Sequence, residues 1–443
     1  MAELLFADLT LVEGRFQPDL AVLVGDDGYL TAVGPASVLD ASTPAEVPRV
    51  RLGGRALAPG CVNAHNHSFQ SLLRGIADDQ RFLVWRDRAL YRYAPRLGLE
   101  GIYTGALFAF AEMLLRGVTT VCDFFYLHGE SNDGARAVIR AARDVGIRLT
   151  LARTMYDWDG APALFRERPE DAVEHTRALF HEHAGDPVVK VLPAPHSPHA
   201  ASAEMVVAGA ALADELGTFF HMHVAEERFE VEETLGKYGL TPVRWLESLG
   251  ALTGRACLVH CCHVDAGEIA LMASRGASLL YNPNSNMFLG DGITPLTEML
   301  TSGIAVALGT DGGCSNNRVS VLDEMRSAAL LQKVRHMDGT ALGAEAVFRM
   351  GTEVGARLTG WPTGVLEAGR LADLYTLDLE DLSTLPHLDL LRNLVYSVEP
   401  TAIRDVCVHG RWVVRQGVLQ TVSTREIARR VKDLTSNWEV ARA

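Results

Sequence analysis

The stretch ADELGTFFHMHVAE, residues 213–226, carries the reading of the fold in miniature. A helical run stops at Gly217, an apolar run follows, and that run closes on His223 and Glu226. Glycine after a last helical turn is the expected stop, because it enters the left-handed conformation at little cost. The same order recurs along the middle of the chain. LLRGVTT, ARDVGIRLT, ASRGASL and LTSGIAV each end a helix-like segment in glycine before an apolar run. Eight such runs stand out: ALAPGCVNAHNH, TTVCDFFY, RLTLARTMY, VVKVLPAPHS, GTFFHMHVAE, ACLVHCCHVD, ASLLYNPNSN and IAVALGTDGG. Near-continuous apolar strands alternating with helices mean a parallel sheet. Eight units predict an α/β fold closed into a (β/α)8 TIM-like barrel over residues 59–370.

Outside that region the pattern changes. LLFADLTLV, DLAVLVGDDGYLTAVG and VRLGGRALAPG alternate apolar and polar residues around glycines and aspartates. ADLYTLDL and VCVHGRWVVRQGVL do the same near the other end. The expectation is a small β-sandwich domain built from both termini, residues 1–58 and 371–443, with a terminal helix in the second part.

Composition limits the partners. The chain has 443 residues, 48% hydrophobic and 22% charged, with a formal net charge of −14. An acidic surface repels phosphate backbones, so no nucleic acid is expected. No segment reaches the ~18 apolar residues of a membrane span. Tyr103–Leu115 is shorter and reads as a core helix, and Glu3 and Asp8 interrupt any signal-like start. A cytoplasmic protein follows. Its seven cysteines, Cys61, Cys122, Cys257, Cys261, Cys262, Cys314 and Cys407, are an odd number set largely in apolar runs. They read as reduced core residues. Barrels of this kind often pair, which suggests a homodimer by analogy.

In barrels the chemistry sits where strands end and loops begin. The first run ends in His65 and His67, the fourth in His196 and the fifth in His223 and Glu226. The sixth ends in His260 and His263 and the eighth in Asp311. Taken singly these are weak signals. An Asp before Gly-Gly is ordinary turn chemistry, and Glu226 or Glu227 could simply open a helix. Together they lie at one end of one barrel. His65 and His67 share a face because the side-chain period of a strand is two. His65, His67, His223 and Asp311 form a three-imidazole, one-carboxylate set that suits one divalent ion, zinc or alternatively Fe2+. Glu226, three residues past a ligand, is placed to carry a proton from an attacking water to a leaving nitrogen. His260 would orient that water, with His263 as the rival.

APGCVNAHNHSFQSLLRG, FFHMHVAEE, LVHCCHVD and ALGTDGGCSNN resemble the amidohydrolase superfamily, and more narrowly its deaminase and chlorohydrolase branch. The resemblance runs nearly the whole chain, including VLEAGRLADL and the final VHGRWVVRQG. It implies one ion held by His65, His67, His223 and Asp311. Glu226, His260 and Asp311 take the catalytic roles, with Asp311 shuttling a second proton, and His196 contacts substrate. Binuclear relatives carry a lysine at the end of the fourth strand; here Lys190 lies near its start, so the site is expected to be mononuclear. PAPHSPHA departs from the family's PHAPYT-type stretch at His199 and Ala200.

Gln70, Arg74, Trp85 and Arg86 in the loop after the first strand could project over the site, as could Tyr126. An aromatic ring and an arginine there would stack on a planar heterocycle. The expected reaction is hydrolytic removal of ammonia from a small amidine-type molecule, a purine, pterin, pyrimidine or triazine. The alternatives are a formimino-compound deiminase, a triazine-type hydrolase expelling chloride or an amine, and a non-catalytic barrel scaffold. WRDRALY and DFFYLHG resemble formiminoglutamate deiminase, yet the arginine that follows PHS in that enzyme is missing. Triazine hydrolases can lack the glutamate, so Glu226 favours deamination.

Overall fold

The computed structural model describes residues 2–439. Eight short parallel strands lie in chain order at its centre: Cys61–His67, Val118–Phe125, Arg148–Met155, Val189–Pro195, Phe220–Val224, Ala256–His260, Ser278–Tyr281 and Val306–Leu308. Strands one to four pair in sequence, and so do strands five to eight. Two joins close the ring. The N–H of His223 donates to the carbonyl of His196 at 2.9 Å, tying strand five to strand four. Asp311–Gly312, just past strand eight, pairs in parallel with Asn66–His67 of strand one. This is the (β/α)8 TIM-like barrel read from the sequence.

The barrel closes because its strands are apolar on both faces. All residues of the first three strands are buried, and in the fourth only Lys190 is exposed. One face fills the barrel interior and the other packs on the surrounding helices. The glycines singled out as stops behave as expected. Gly117, Gly146, Gly217, Gly276 and Gly303 all have φ between 68° and 87°.

The chain ends form one mixed nine-stranded sheet. Its centre is the parallel pairing of Glu3–Val12 with Arg49–Pro59, and Leu374–Asp378 adds antiparallel to the latter. The expected sandwich is therefore one sheet curled on itself. Leu5, Val22, Leu57, Leu374 and Cys407 share a single buried cluster, and Trp412 Nε1–H reaches across to Glu3 at 2.9 Å. A buried ion pair fastens this sheet to the barrel. Arg148 of strand three donates to both oxygens of Asp373, at 2.7 and 3.0 Å.

The cysteines are all buried and free. No single helix among the described residues is long and apolar enough to cross a membrane.

Candidate functional site

Every strand end singled out for chemistry opens on one rim. The strand-one bulge around Ala64 leaves His65 and His67 close together, their ring centroids 4.8 Å apart. His223 lies against both rings, at 4.8 and 5.4 Å. Asp311 is brought in from strand eight by a tight approach. A Cβ on Gly309 would stand 2.7 Å from the Cβ of His65, so only glycine lets the two strands come this near. Asn63 stitches the same seam, donating to Thr310 Oγ1 at 2.7 Å and accepting from Thr310 N–H at 3.0 Å.

The donor atoms of His65, His67, His223 and Asp311 all lie within 4.8 Å of one another. Asp311 Oδ1 stands 3.1 Å from His67 Nε2 and 3.6 Å from His65 Nε2. Ligands about 2.1 Å from a tetrahedral ion sit roughly 3.4 Å apart, so these spacings fit a coordination shell. The hydrogen bonds of the outer nitrogens agree. His67 Nδ1 is 2.7 Å from the Phe124 carbonyl and His223 Nδ1 is 3.0 Å from the His196 carbonyl. Carbonyls only accept, so both Nδ1 atoms carry the proton and both Nε2 lone pairs face inward. His65, fully buried, has no hydrogen-bond partner on either nitrogen. A buried imidazole left so is costly unless an ion takes its lone pair. Burial lowers the His65 pKa to about 4 and presses that of His223 well below the ordinary value, which keeps both as neutral ligands. Burial opposes ionisation of Asp311, but the imidazoles of His65 and His67 beside it outweigh that and hold its carboxyl well below the usual range.

Glu226 and His260 stand beside this set. Glu226 Oε1 is 3.4 Å from His260 Nε2, and Asp311 Oδ2 is 3.9 Å from the same nitrogen. Burial pushes the Glu226 carboxyl well above its ordinary pKa, and the nearby Asp291 and Asp311 add to the rise. His260 is oriented from behind, its Nδ1 2.7 Å from Asn286 Oδ1. Ser285 donates to Asp311 Oδ2 at 2.6 Å. Ala225, His260 and Asp311 have φ of 52°, 71° and 58°. Non-glycine residues rarely adopt that region, and such strain gathers at functional sites.

The pocket above is walled by Gln70, Trp85, Arg86, Tyr126, Tyr156 and His196, among others. The five substrate residues named from the sequence therefore all line it. Some have their polar atoms engaged elsewhere. Gln70 donates to Tyr126 Oη at 2.8 Å and Trp85 Nε1–H donates to the Cys314 carbonyl at 2.8 Å. Trp85 thus offers its ring face. Arg86 packs over Tyr91 and Trp158. One expectation fails. Arg74 turns away to Glu112 at 2.8 Å and over the Phe108 ring. Between the two rivals, His260 and not His263 is grouped with Glu226 and Asp311, and His263 lies near Gly292. Tyr91, Tyr156 and Phe165 were missed as walls. Tyr156 follows strand three directly, so the strand-end rule could have found it; nothing in the sequence marks Phe165. Lys190 stands at the opposite barrel end, against Gly360 and Trp361.

Comparison with known proteins agrees with this site. The amidohydrolase family model matches residues 56–413. A 5-methylthioadenosine/S-adenosylhomocysteine deaminase from Syntrophobacter fumaroxidans is 33% identical over 438 residues, 96% of this chain and 97% of that protein. Among solved structures, an adenosine deaminase from Xanthomonas campestris with bound zinc superposes with a TM-score of 0.90 at 29% identity, over 98% of this chain and 97% of that one. An atrazine chlorohydrolase from Arthrobacter aurescens complexed with zinc gives 0.90 at 25% identity, over 97% and 99%. The chain belongs to the amidohydrolase family and, within it, to the deaminase and chlorohydrolase branch of metal-dependent hydrolases.

Proposed function

We propose that this protein deaminates a small nitrogen heterocycle of the purine type, with one zinc ion held by His65, His67, His223 and Asp311. The observation that carries the reading is Glu226, buried at the pocket floor 3.4 Å from His260 and beside the four ligand residues. When bound, the ion supplies Lewis acidity and an activated water. The second donor group, Glu226 and His260, shares Asp311 with the first, and Lys190 is remote from both, which supports one ion over two.

The remaining chemistry belongs to the chain. A planar substrate lies among Trp85, Tyr126, Tyr156 and Phe165, whose rings exclude water and offer stacking surface. Its amidine carbon is presented to the floor of the pocket. Glu226 takes a proton from the attacking water and returns it at the ring nitrogen. Burial raises its pKa, which makes the carboxylate a stronger base for that first transfer. His260, uncharged through burial, holds the water through Nε2. Asp311 passes the second proton to the departing amino group, and ammonia leaves. The similar deaminases named above favour an adenosine-type amine as substrate.

The test is an ammonia-release panel with zinc-loaded protein. It includes 5-methylthioadenosine, S-adenosylhomocysteine, guanine, a pterin, cytosine, formiminoglutamate and a chlorotriazine. Ammonia from a purine is expected. Chloride from the triazine with no ammonia from any purine overturns the reading.

A further inference from the structure

The departure at His199, left without a role by the sequence, completes a chain of polar side chains leading to the pocket. His196 Nδ1 is 2.9 Å from Ser197 Oγ, and Ser197 Oγ is 3.3 Å from His199 Nε2. His199 Nδ1 is 3.3 Å from Glu230 Oε2. The chain is enclosed: the side chain of His199 is 9% exposed and that of Glu230 1%. His199 Nδ1 and Glu230 Oε2 face each other at ion-pair distance, outside hydrogen-bond geometry, and neither has a hydrogen-bond partner among the described residues. The other Glu230 oxygen accepts the Ala225 N–H at 2.5 Å, which fixes the carboxylate.

We propose that Glu230, His199 and Ser197 form a relay that decides which nitrogen of His196 faces the pocket, and so make His196 an acceptor for a hydrogen-bond donor on the substrate. The direction follows from donor and acceptor chemistry. The Glu230 carboxylate only accepts, so Nδ1 is the His199 nitrogen that carries a proton toward it. Its Nε2 is then an acceptor and takes the single proton of the Ser197 hydroxyl. The Ser197 oxygen, having donated, accepts from His196 Nδ1–H. Nε2 of His196 is left with a bare lone pair. The ring cannot swing away from this arrangement. It stacks on His223 with centroids 4.9 Å apart and meets the faces of Tyr126 and Tyr156 at 5.5 and 4.6 Å. A purine-type substrate would therefore turn an N–H or O–H toward His196, and an analogue lacking that donor would leave a buried acceptor unpaired. The substrate clause rests on the deaminase reading; the relay itself does not.

Nitrogen-15 spectra of the histidine side chains in zinc-loaded protein test the relay directly. His196 is expected as the Nδ1–H tautomer, and Ser197→Ala is expected to give a mixture. An Nε2–H tautomer in the wild type, or an unchanged tautomer in Ser197→Ala, overturns the relay. Kinetics on 5-methylthioadenosine provide the second arm. Ser197→Ala and His199→Phe should raise KM about tenfold, the value of one lost hydrogen bond. Their kcat should change by less than about threefold, because the relay acts on binding. His199→Gln, which can still donate and accept, should restore most of the KM. Loss of kcat alone in both variants, with KM unmoved, rejects the binding role. A wild-type Nδ1–H tautomer in a protein that releases ammonia from no purine supports the relay and rejects the deaminase reading alone.

Discussion

Oε1 of Glu226 and Nε2 of His260 face each other across 3.4 Å, and neither side chain is more than 7% exposed. Two groups so placed share one small volume, and Asp311 Oδ2 lies 3.9 Å from the same imidazole nitrogen. A water held there would touch a proton acceptor, an orienting ring and the ligand set together. Glu226→Gln keeps the shape and removes the base. Turnover should fall by about 10³, within the range of general acid–base catalysis. Metal content measured by atomic absorption should not change. Activity within a few-fold of wild type would remove Glu226 from its assigned role.

The orientation of His260 depends on Asn286, whose Oδ1 receives the Nδ1 proton at 2.7 Å. The amide of Asn286 is itself held near Cys262 Sγ and Thr294 Oγ1. Asn286→Ala frees the ring to change tautomer. Partners behind an active histidine typically matter by about 10–100-fold. The expected loss is in kcat, with folding reported intact by circular dichroism. A rise in KM alone would show that His260 serves binding instead.

The two rings of His65 and His67 and their two partners should couple metal to stability. An ion present at about 100 times its dissociation constant adds roughly 2.7 kcal/mol to the folded state. Chelator-treated protein should melt lower and recover on adding zinc. His67→Ala should lose most of that response. A melting temperature indifferent to zinc in the wild type would deny the four residues their ion.

The ligand set was legible because two simple rules reach it. Strand alternation puts His65 and His67 on one face, and the strand-end rule finds His223, His260 and Asp311. Loop residues escape both rules. Phe165 comes to the pocket through the fold of the segment after strand three, which has no periodicity to betray it. Arg74 shows the reverse failure. Its position in the first loop suggested the site, but Glu112 on a neighbouring helix captures the guanidinium. The terminal β-domain was readable as strands and not as a pairing. Alternation tells which face is buried, whereas Leu374–Asp378 finds its partner Arg55–Pro59 more than 300 residues away, through contacts that no local pattern records.

Arg148 and Asp373 join barrel and sheet with both side chains fully buried. Asp373 Oδ1 also accepts the His409 N–H at 2.7 Å, and Arg148 packs over the Trp361 ring. Asp373→Ala strands a buried guanidinium. Breaking such a pair costs about 3–5 kcal/mol. Urea unfolding should show that loss. A cost under about 1 kcal/mol, as for exposed pairs, would mean the cation finds water instead.

Glu324 gives stability a pH dependence of defined sign. Burial raises its pKa from 4.5 to about 8, despite hydrogen bonds to its oxygens from Asn284 and Asn316 that act the other way. The folded state therefore holds one more proton than the unfolded chain between those values. Stability contributed by that proton is complete below pH 4.5 and is lost as pH rises toward 8, with a slope of at most about 1.4 kcal/mol per pH unit. Glu324→Gln cannot titrate. It should start less stable at pH 5.5, because its amide nitrogen meets the donors of Asn284 and Asn316. The gap to wild type should then narrow through pH 6.5 and 7.5 in urea unfolding. Curves that run parallel over this range would show that Glu324 ionises in the folded protein as it does in the unfolded chain.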